Sequence, residues 1–409
     1  MISIFETTRL RVERGAKQTM KKILIVVNDL KMGGVSTSLL YLINELKKFD
    51  VEIDVISLTT KKGAFDSDIQ TILLTGLKKY WVLPRDAIRH ENNIGGKIIV
   101  LIMITLKLLL GGKWISIIKH CSKKLAGYDF AVAYRQSEST MKFVLDMVEA
   151  KGKMVFIHGN VDYMPNFSKW SKYLPEFDRV ICVAQSLKDE LIAKTKLPES
   201  KVAVIYNMID CMKIKQLSNE IIENEIIERL FSNPFSGLTF VTVARLDPIK
   251  GIDRIIEVAA NLVKRFPMEF RWIVIGGGKL LDDYCHLVKT NGLSEQLYFV
   301  GEYKNPFPII NKSDLLILTS RSEGYPLVVL ESMLLGVPAL VTRYPAASEQ
   351  IKHGFNGFVV ENSTDGIEKK LDEILTNPQQ LNNMHENILQ EIYSNDIQLR
   401  QIESVFELI

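Results

Sequence analysis

Unbroken apolar runs recur along this chain, and they constrain its fold more than any other feature. Ile23-Leu24-Ile25-Val26-Val27 is the first of them. A strand with one wet face alternates apolar and polar residues, whereas an unbroken run is buried on both faces, as in a parallel sheet covered by helices. In the first half such runs predict strands at Lys22–Asn28, Glu52–Leu58, Tyr128–Tyr134, Lys153–His158, Arg179–Ala184 and Lys201–Tyr206. Helical patterns over Val35–Lys48 and Ser186–Lys196 lie between them. The second half repeats the alternation with strands Leu238–Ala244, Phe270–Ile275, Gln296–Val300, Asp314–Thr319 and Val337–Thr342. Its helices fall near Gly251–Arg265, Lys279–Asn291 and Leu327–Leu335. Strand–helix alternation of this kind predicts an open, doubly wound α/β sheet, and here it occurs twice. A chain of 409 residues also exceeds what one ordinary core holds. The polar, glutamate-rich stretch Ser218–Asn233 is the expected boundary. It divides the chain into 20–215 and 216–390, with a helix in 391–409 expected to pack back on the first domain. Ligands of such sheets sit at the carboxyl ends of the strands, so two facing sheets place a substrate in the cleft between them.

Bulk properties narrow the classes. Hydrophobic residues make up 47% and charged ones 24%, which is an ordered globular composition. A net charge of +3 gives no reason to expect nucleic acid. Cys121, Cys182, Cys211 and Cys285 form no C-x-x-C pair, which fits a reduced, cytoplasmic protein without a zinc site. Charges interrupt Met1–Gln18, so it is no secretory signal, and residues 1–19 read as a leader ahead of a start at Met20. The apolar run Ile98–Leu110 has thirteen residues, short of the roughly 20 that a spanning helix needs. Gly76–Lys124 carries ten Lys/Arg against Asp86 and Glu91, a net +8. With Trp81, Trp114 and the apolar run, it reads as a surface that rests on an anionic membrane, peripheral on its inner face. The competing reading is a packed helix flanked by solvated lysines.

Three segments of the second half carry candidate chemistry. Strand Leu238–Ala244 leads into Arg245-Leu246-Asp247-Pro248-Ile249-Lys250-Gly251, which brings a guanidinium and an ammonium to the N-terminus of a helix. Cations and open helix N–H groups together make a phosphate site. The next strand ends in Gly276-Gly277-Gly278, where glycine permits close approach of backbone to a ligand or simply a tight turn. The third segment is Ser320-Arg321-Ser322-Glu323-Gly324-Tyr325-Pro326-Leu327 with Glu331 on the following helix. The two carboxylates of this E-x7-E can both face one ligand and accept bonds from pairs of sugar hydroxyls. Taken singly, each is as readily a helix cap or a surface glutamate.

Together these segments resemble the retaining glycosyltransferases of family 4, with two Rossmann-like domains in the GT-B arrangement. The resemblance runs from Met20 over nearly the whole chain, and E-x7-E is its most specific part. It implies that Arg245 and Lys250 bind the diphosphate of a nucleotide-sugar donor, with a UDP-sugar the first expectation. Glu323 would contact the donor sugar and Glu331 the ribose hydroxyls. The backbone of Gly324, Tyr325, Pro326 and Leu327 would line the sugar and diphosphate, with Gly276 and Gly277 beside them. In the first, acceptor-binding domain, Lys31-Met32-Gly33-Gly34-Val35-Ser36 resembles the family's glycine loop. There Gly34 would face the diphosphate, and His158 at a strand end would lie near the transferred sugar. No metal is implied, because Arg245, Lys250 and backbone N–H groups would stabilise the departing diphosphate. The acceptor expected is a saccharide or a lipid-linked oligosaccharide of cell-surface polysaccharide assembly.

One loop departs from the family. After the last sugar-facing strand a glycine pair is common, whereas this chain reads Thr342-Arg343-Tyr344-Pro345-Ala346-Ala347-Ser348-Glu349. Asp66-Ser67-Asp68 matches the D-x-D metal signature of another transferase fold, but in its polar surroundings it reads as a solvated turn. The alternatives are a sugar-nucleotide epimerase of the same fold and a catalytically silent sugar- or lipid-binding relative. A nicotinamide dehydrogenase would want G-x-G-x-x-G after the first strand, and the chain has Met32-Gly33-Gly34 there.

Overall fold

The computed structural model describes residues 20–31, 33–59, 72, 81, 94–111, 113–391 and 393–408. The expected leader, the Asp66-Ser67-Asp68 turn, Met32 and most of 76–93 lie outside the described residues.

Two six-stranded, all-parallel sheets form. The first contains β1 (Lys21–Val27), β2 (Val51–Ser57), β3 (Leu125–Ala133), β4 (Val148–Ile157), β5 (Arg179–Cys182) and β6 (Val202–Val204), in the order β2-β1-β3-β4-β5-β6. The second contains β7 (Leu238–Val243), β8 (Phe270–Ile275), β9 (Leu297–Gly301), β10 (Leu315–Leu318), β11 (Ala339–Thr342) and β12 (Gly357–Val360), in the order β12-β11-β10-β7-β8-β9. Apart from β12, each strand coincides with a run read from the sequence. β12 is a four-residue edge strand opening on glycine, and its pairing with β11 defines it. β4 begins well before its apolar run, because its mixed first half, with Glu149 and Lys151 exposed, still pairs with β3.

Burial follows the apolar runs. Ile23 to Val26 are fully buried, as are Trp272 to Val274. One apolar core runs through the first sheet and onto one face of the second. The other face of the second sheet has a core of its own.

Two features differ in detail from the sequence expectation. The polar stretch Ser218–Asn233 contains a helix, Glu225–Ser232, because Asn224 caps it and Ile227 is buried beneath it. Trp81 and Trp114, read as membrane-facing, are both buried instead; the Trp81 indole donates to the Ser139 carbonyl at 3.0 Å. The helix Ile94–Leu110, by contrast, buries Val100 and presents Ile98, Leu101, Ile102, Leu108 and Leu109 to solvent. Among the described residues no helix is long and apolar enough to cross a membrane.

The chain finally returns to the first sheet. After the helix Asp396–Val405, Phe406 is fully buried with its ring edge-on to Phe130 at 5.7 Å. Gln401 accepts from the Tyr206 N–H at 3.1 Å.

Candidate functional site

In each sheet the chain winds outward in opposite directions from an inner strand, and the crevice this leaves lies beyond the carboxyl ends of the two strands flanking the reversal. In the second sheet the reversal lies between β7 and β10. The loops leaving those two strands carry Lys250 and Glu323. In the first sheet it lies between β1 and β3, and His158 follows β4 next to it.

Lys250 and Glu323 are 73 residues apart and meet as a pair, Nζ to Oε1 at 2.6 Å. Their side chains keep only 20% and 9% of their exposure, so the pair is largely desolvated. The Ser320 hydroxyl donates to the same Oε1 at 2.6 Å. The two loops are also tied through backbone. Thr319 donates from its hydroxyl to the Lys250 carbonyl at 3.1 Å, and the Arg321 N–H donates to Ile249 at 2.8 Å. A buried carboxylate next to an ammonium offers a mixed-charge floor, able to accept from hydroxyls and donate to phosphate oxygens. Arg245 stands apart from this pair on the exposed rim, where it holds Asp247 at 2.6 Å.

Glycines let these loops close on each other. A Cβ on Gly324 would stand 2.1 Å from the His158 carbonyl oxygen, so the E-x7-E loop of one domain touches the strand end of the other. Gly276, at φ +153°, packs directly on the Ala244 carbonyl, and Gly277 accepts from the Leu246 N–H at 2.9 Å. These two glycines thus seat the Arg245 loop against β8. Around Gly34 the space is open. Neither N-cap residue, Gly33 before the helix Gly34–Leu46 or Pro326 before the helix Leu327–Leu334, caps its helix with its own side chain. The first N–H groups of such a helix start favour an anion.

Two buried ionisable groups have displaced pKa values. Burial pushes the Glu331 carboxyl up to about 7, opposed by a hydrogen bond from the Tyr41 hydroxyl, which lowers it. Tyr41 belongs to the first domain, so Glu331 is inside the domain junction and is not a surface residue. Burial likewise pushes the His158 imidazolium down to about 4. Its Nε2 lies 2.7 Å from the Tyr134 carbonyl, which fixes Nε2 as the protonated nitrogen of a neutral ring.

Tyr325, Asn207 and Tyr206 also meet at this junction, and the sequence did not single out the latter two. Asn207 donates to the Tyr325 carbonyl at 2.8 Å, and the Tyr206 and Tyr325 rings lie 5.2 Å apart. Neither residue lies in a motif, so only the fold could reveal them. Among the described residues no group of three or more His, Cys, Asp or Glu is placed to hold a metal ion.

Comparison with known proteins places this arrangement. The family model described as "Glycosyltransferase Family 4" matches residues 32–213, and that described as "Glycosyl transferases group 1" matches 230–391. The chain belongs to the family 4 glycosyltransferases of the GT-B fold. Among curated relatives of this chain, the N-acetyl-alpha-D-glucosaminyl L-malate synthase of Bacillus anthracis is 26% identical over 58% of this chain and 60% of that one. A UDP-Gal:alpha-D-GlcNAc-diphosphoundecaprenol alpha-1,3-galactosyltransferase of Escherichia coli is 26% identical over 56% of this chain and 59% of that one. The chain therefore spans about three-fifths of these curated relatives, at 60% and 59%. Solved GT-B structures superpose over nearly all of it. Staphylococcus aureus TarM with UDP gives a TM-score of 0.67 at 14% identity, covering 95% of this chain and 100% of that one. Anabaena HepE with UDP-glucose gives 0.66 at 17%, also covering 95% and 100%.

Proposed function

We propose that this glycosyltransferase moves a hexosyl unit from a nucleoside diphosphate sugar, a UDP-sugar first, to a saccharide or lipid-linked acceptor in polysaccharide assembly. The observation that carries this reading is the desolvated Lys250–Glu323 pair at the reversal point of the second sheet, touching the His158 strand end through Gly324. UDP and UDP-glucose in the structural neighbours support the choice of donor.

In this reading Lys250 and Arg245 bind the diphosphate, and the N–H groups near Gly34 and Leu327 complete its cradle. Glu323 accepts from the donor sugar's hydroxyls, and Glu331 from the ribose. Gly276 and Gly277 shape the Arg245 loop, while Gly324, Tyr325 and Pro326 form the wall beside the sugar. The bond from the anomeric carbon to the β-phosphate oxygen breaks as the acceptor oxygen bonds to that carbon on the same face, with retention. The acceptor's proton passes to the departing phosphate oxygen. Negative charge grows on the diphosphate, and fixed cations and N–H groups stabilise it without a metal in this reading. His158, held neutral, donates no proton. It presents a polar edge to the sugar.

The apolar face of Ile94–Leu110, with Lys97, Lys113, Lys119, Lys123 and Lys124 near it in sequence, supports docking on an anionic inner membrane surface, where a lipid-linked acceptor would be found.

Thermal unfolding with UDP, GDP, ADP, CMP or NAD in EDTA tests the core reading. A ligand at 100 times its Kd stabilises by about 2.7 kcal/mol. Stabilisation by one nucleoside diphosphate is expected. Stabilisation by NAD alone, or by none of the five, would overturn it.

A further inference from the structure

The loop that departs from the family's glycine pair contains a three-bond polar contact between the two domains. It folds into the short helix Ala347–Gln350 after β11. Glu349 there reaches across to the helix Gln185–Thr195 of the first domain. Its Oε2 accepts from the Gln185 N–H and its Oε1 from the Ser186 N–H, both at 2.8 Å. Oε2 also accepts from the Tyr206 hydroxyl at 2.9 Å. The receiving helix has Ala184 at its N-cap and no side-chain cap of its own. Alanine cannot satisfy the first N–H groups of a helix, so a carboxylate from more than 160 residues away does so, where the helix dipole also favours it.

The neighbouring residue faces the other way. The Gln350 side chain donates to the Pro326 carbonyl at 3.0 Å and accepts from the Tyr344 hydroxyl at 2.8 Å. Tyr206, held by Glu349, lies against Tyr325, and Asn207 holds the Tyr325 carbonyl at 2.8 Å. Two adjacent side chains therefore connect the first domain to the loop that presents Glu323 and to the start of the Glu331 helix.

We propose that Glu349 is a positioning residue which sets the spacing across the cleft, so that the Glu323 loop meets His158. It touches no substrate in this scheme and acts through Tyr206, Gln185 and Ser186. The inference rests on the transfer reading above for its kinetic consequence only; the domain contact itself is independent of it.

The test uses Glu349→Ala, Glu349→Asp and the milder Tyr206→Phe in the full chain. Small-angle scattering reports the separation of the domains, and steady-state kinetics report transfer from a UDP-sugar. Glu349→Ala should enlarge the radius of gyration and lower kcat tenfold or more, with donor KM within about threefold of wild type. Tyr206→Phe, which leaves both helix contacts in place, should show a smaller change in the same direction, and Glu349→Asp should recover part of the loss. Unchanged scattering in Glu349→Ala overturns the proposal whatever the kinetics, as does a loss confined to KM. If Glu349→Ala does not fold, Tyr206→Phe and Glu349→Asp decide by the same two readouts. If wild type transfers no sugar yet Glu349→Ala still opens in scattering, the transfer reading fails and the domain contact stands.

Discussion

Glu331 and His158 show how burial assigns ionisation at single residues. Glu331 is raised from 4.5 to about 7 and His158 lowered from 6.5 to about 4. Between pH 4.5 and 7 the native state keeps a proton on Glu331 that the unfolded chain has lost, so this group's contribution declines as pH rises. Between pH 4 and 6.5 the unfolded chain protonates His158 and the native state does not, so that contribution grows as pH rises. The two oppose each other over pH 4.5–6.5. Glu331→Gln should therefore make Tm climb more steeply across that window, and His158→Asn should make it fall; Tm curves parallel to wild type would count against both assignments. Kinetics separate the roles at the site. Lys250→Ala should lower kcat on the order of 10²- to 10³-fold, as loss of a donor to developing charge does. Glu331→Ala should mainly raise donor KM. Wild-type kinetics in both variants would show that these residues do not bind the donor.

At the scale of elements, strand ends and helix starts hold the candidate site while the strand interiors hold the core. The Lys250 and Glu323 loops are neighbours because β7 and β10 pair, and a helix start without a cap of its own can take an anionic partner from elsewhere, as Glu349 does for the helix Gln185–Thr195. The helix Ile94–Leu110 is unusual in turning its apolar side outward: Leu108 and Leu109 keep 79% and 78% of their exposure. Exposed apolar patches on soluble domains mark interaction surfaces. Ile98→Asp with Leu109→Asp should abolish co-sedimentation with vesicles containing anionic lipid and leave Tm within about a degree of wild type. Equal binding by wild type and variant would remove this helix from the membrane reading.

For the whole molecule, the two sheets are joined by more than a linker. An apolar core crosses from one to the other, Glu349 and Asn207 bridge the cleft, and the last helix returns to the first sheet. Phe406 is fully buried against Phe130, so Phe406→Ala should destabilise the protein by about 3–5 kcal/mol. Urea unfolding would measure this; a loss below about 1 kcal/mol would mean the terminal segment adds little to the fold.

The sequence by itself determined the architecture, because a strand buried on both faces must be apolar throughout and that demand is written locally. It also determined Arg245, Lys250, Glu323 and Glu331 as candidates, since the first three stand in short motifs on loops that follow strands and Glu331 is spaced from Glu323 on the next helix. Trp81 and Trp114 misled because an indole suits a core as well as an interface, and composition does not say which. Glu349, Tyr206, Asn207 and the Glu331–Tyr41 contact were decided by tertiary structure alone. Their partners lie between about 120 and 290 residues away in the chain, and no local pattern encodes a contact that exists only after two sheets have been brought face to face.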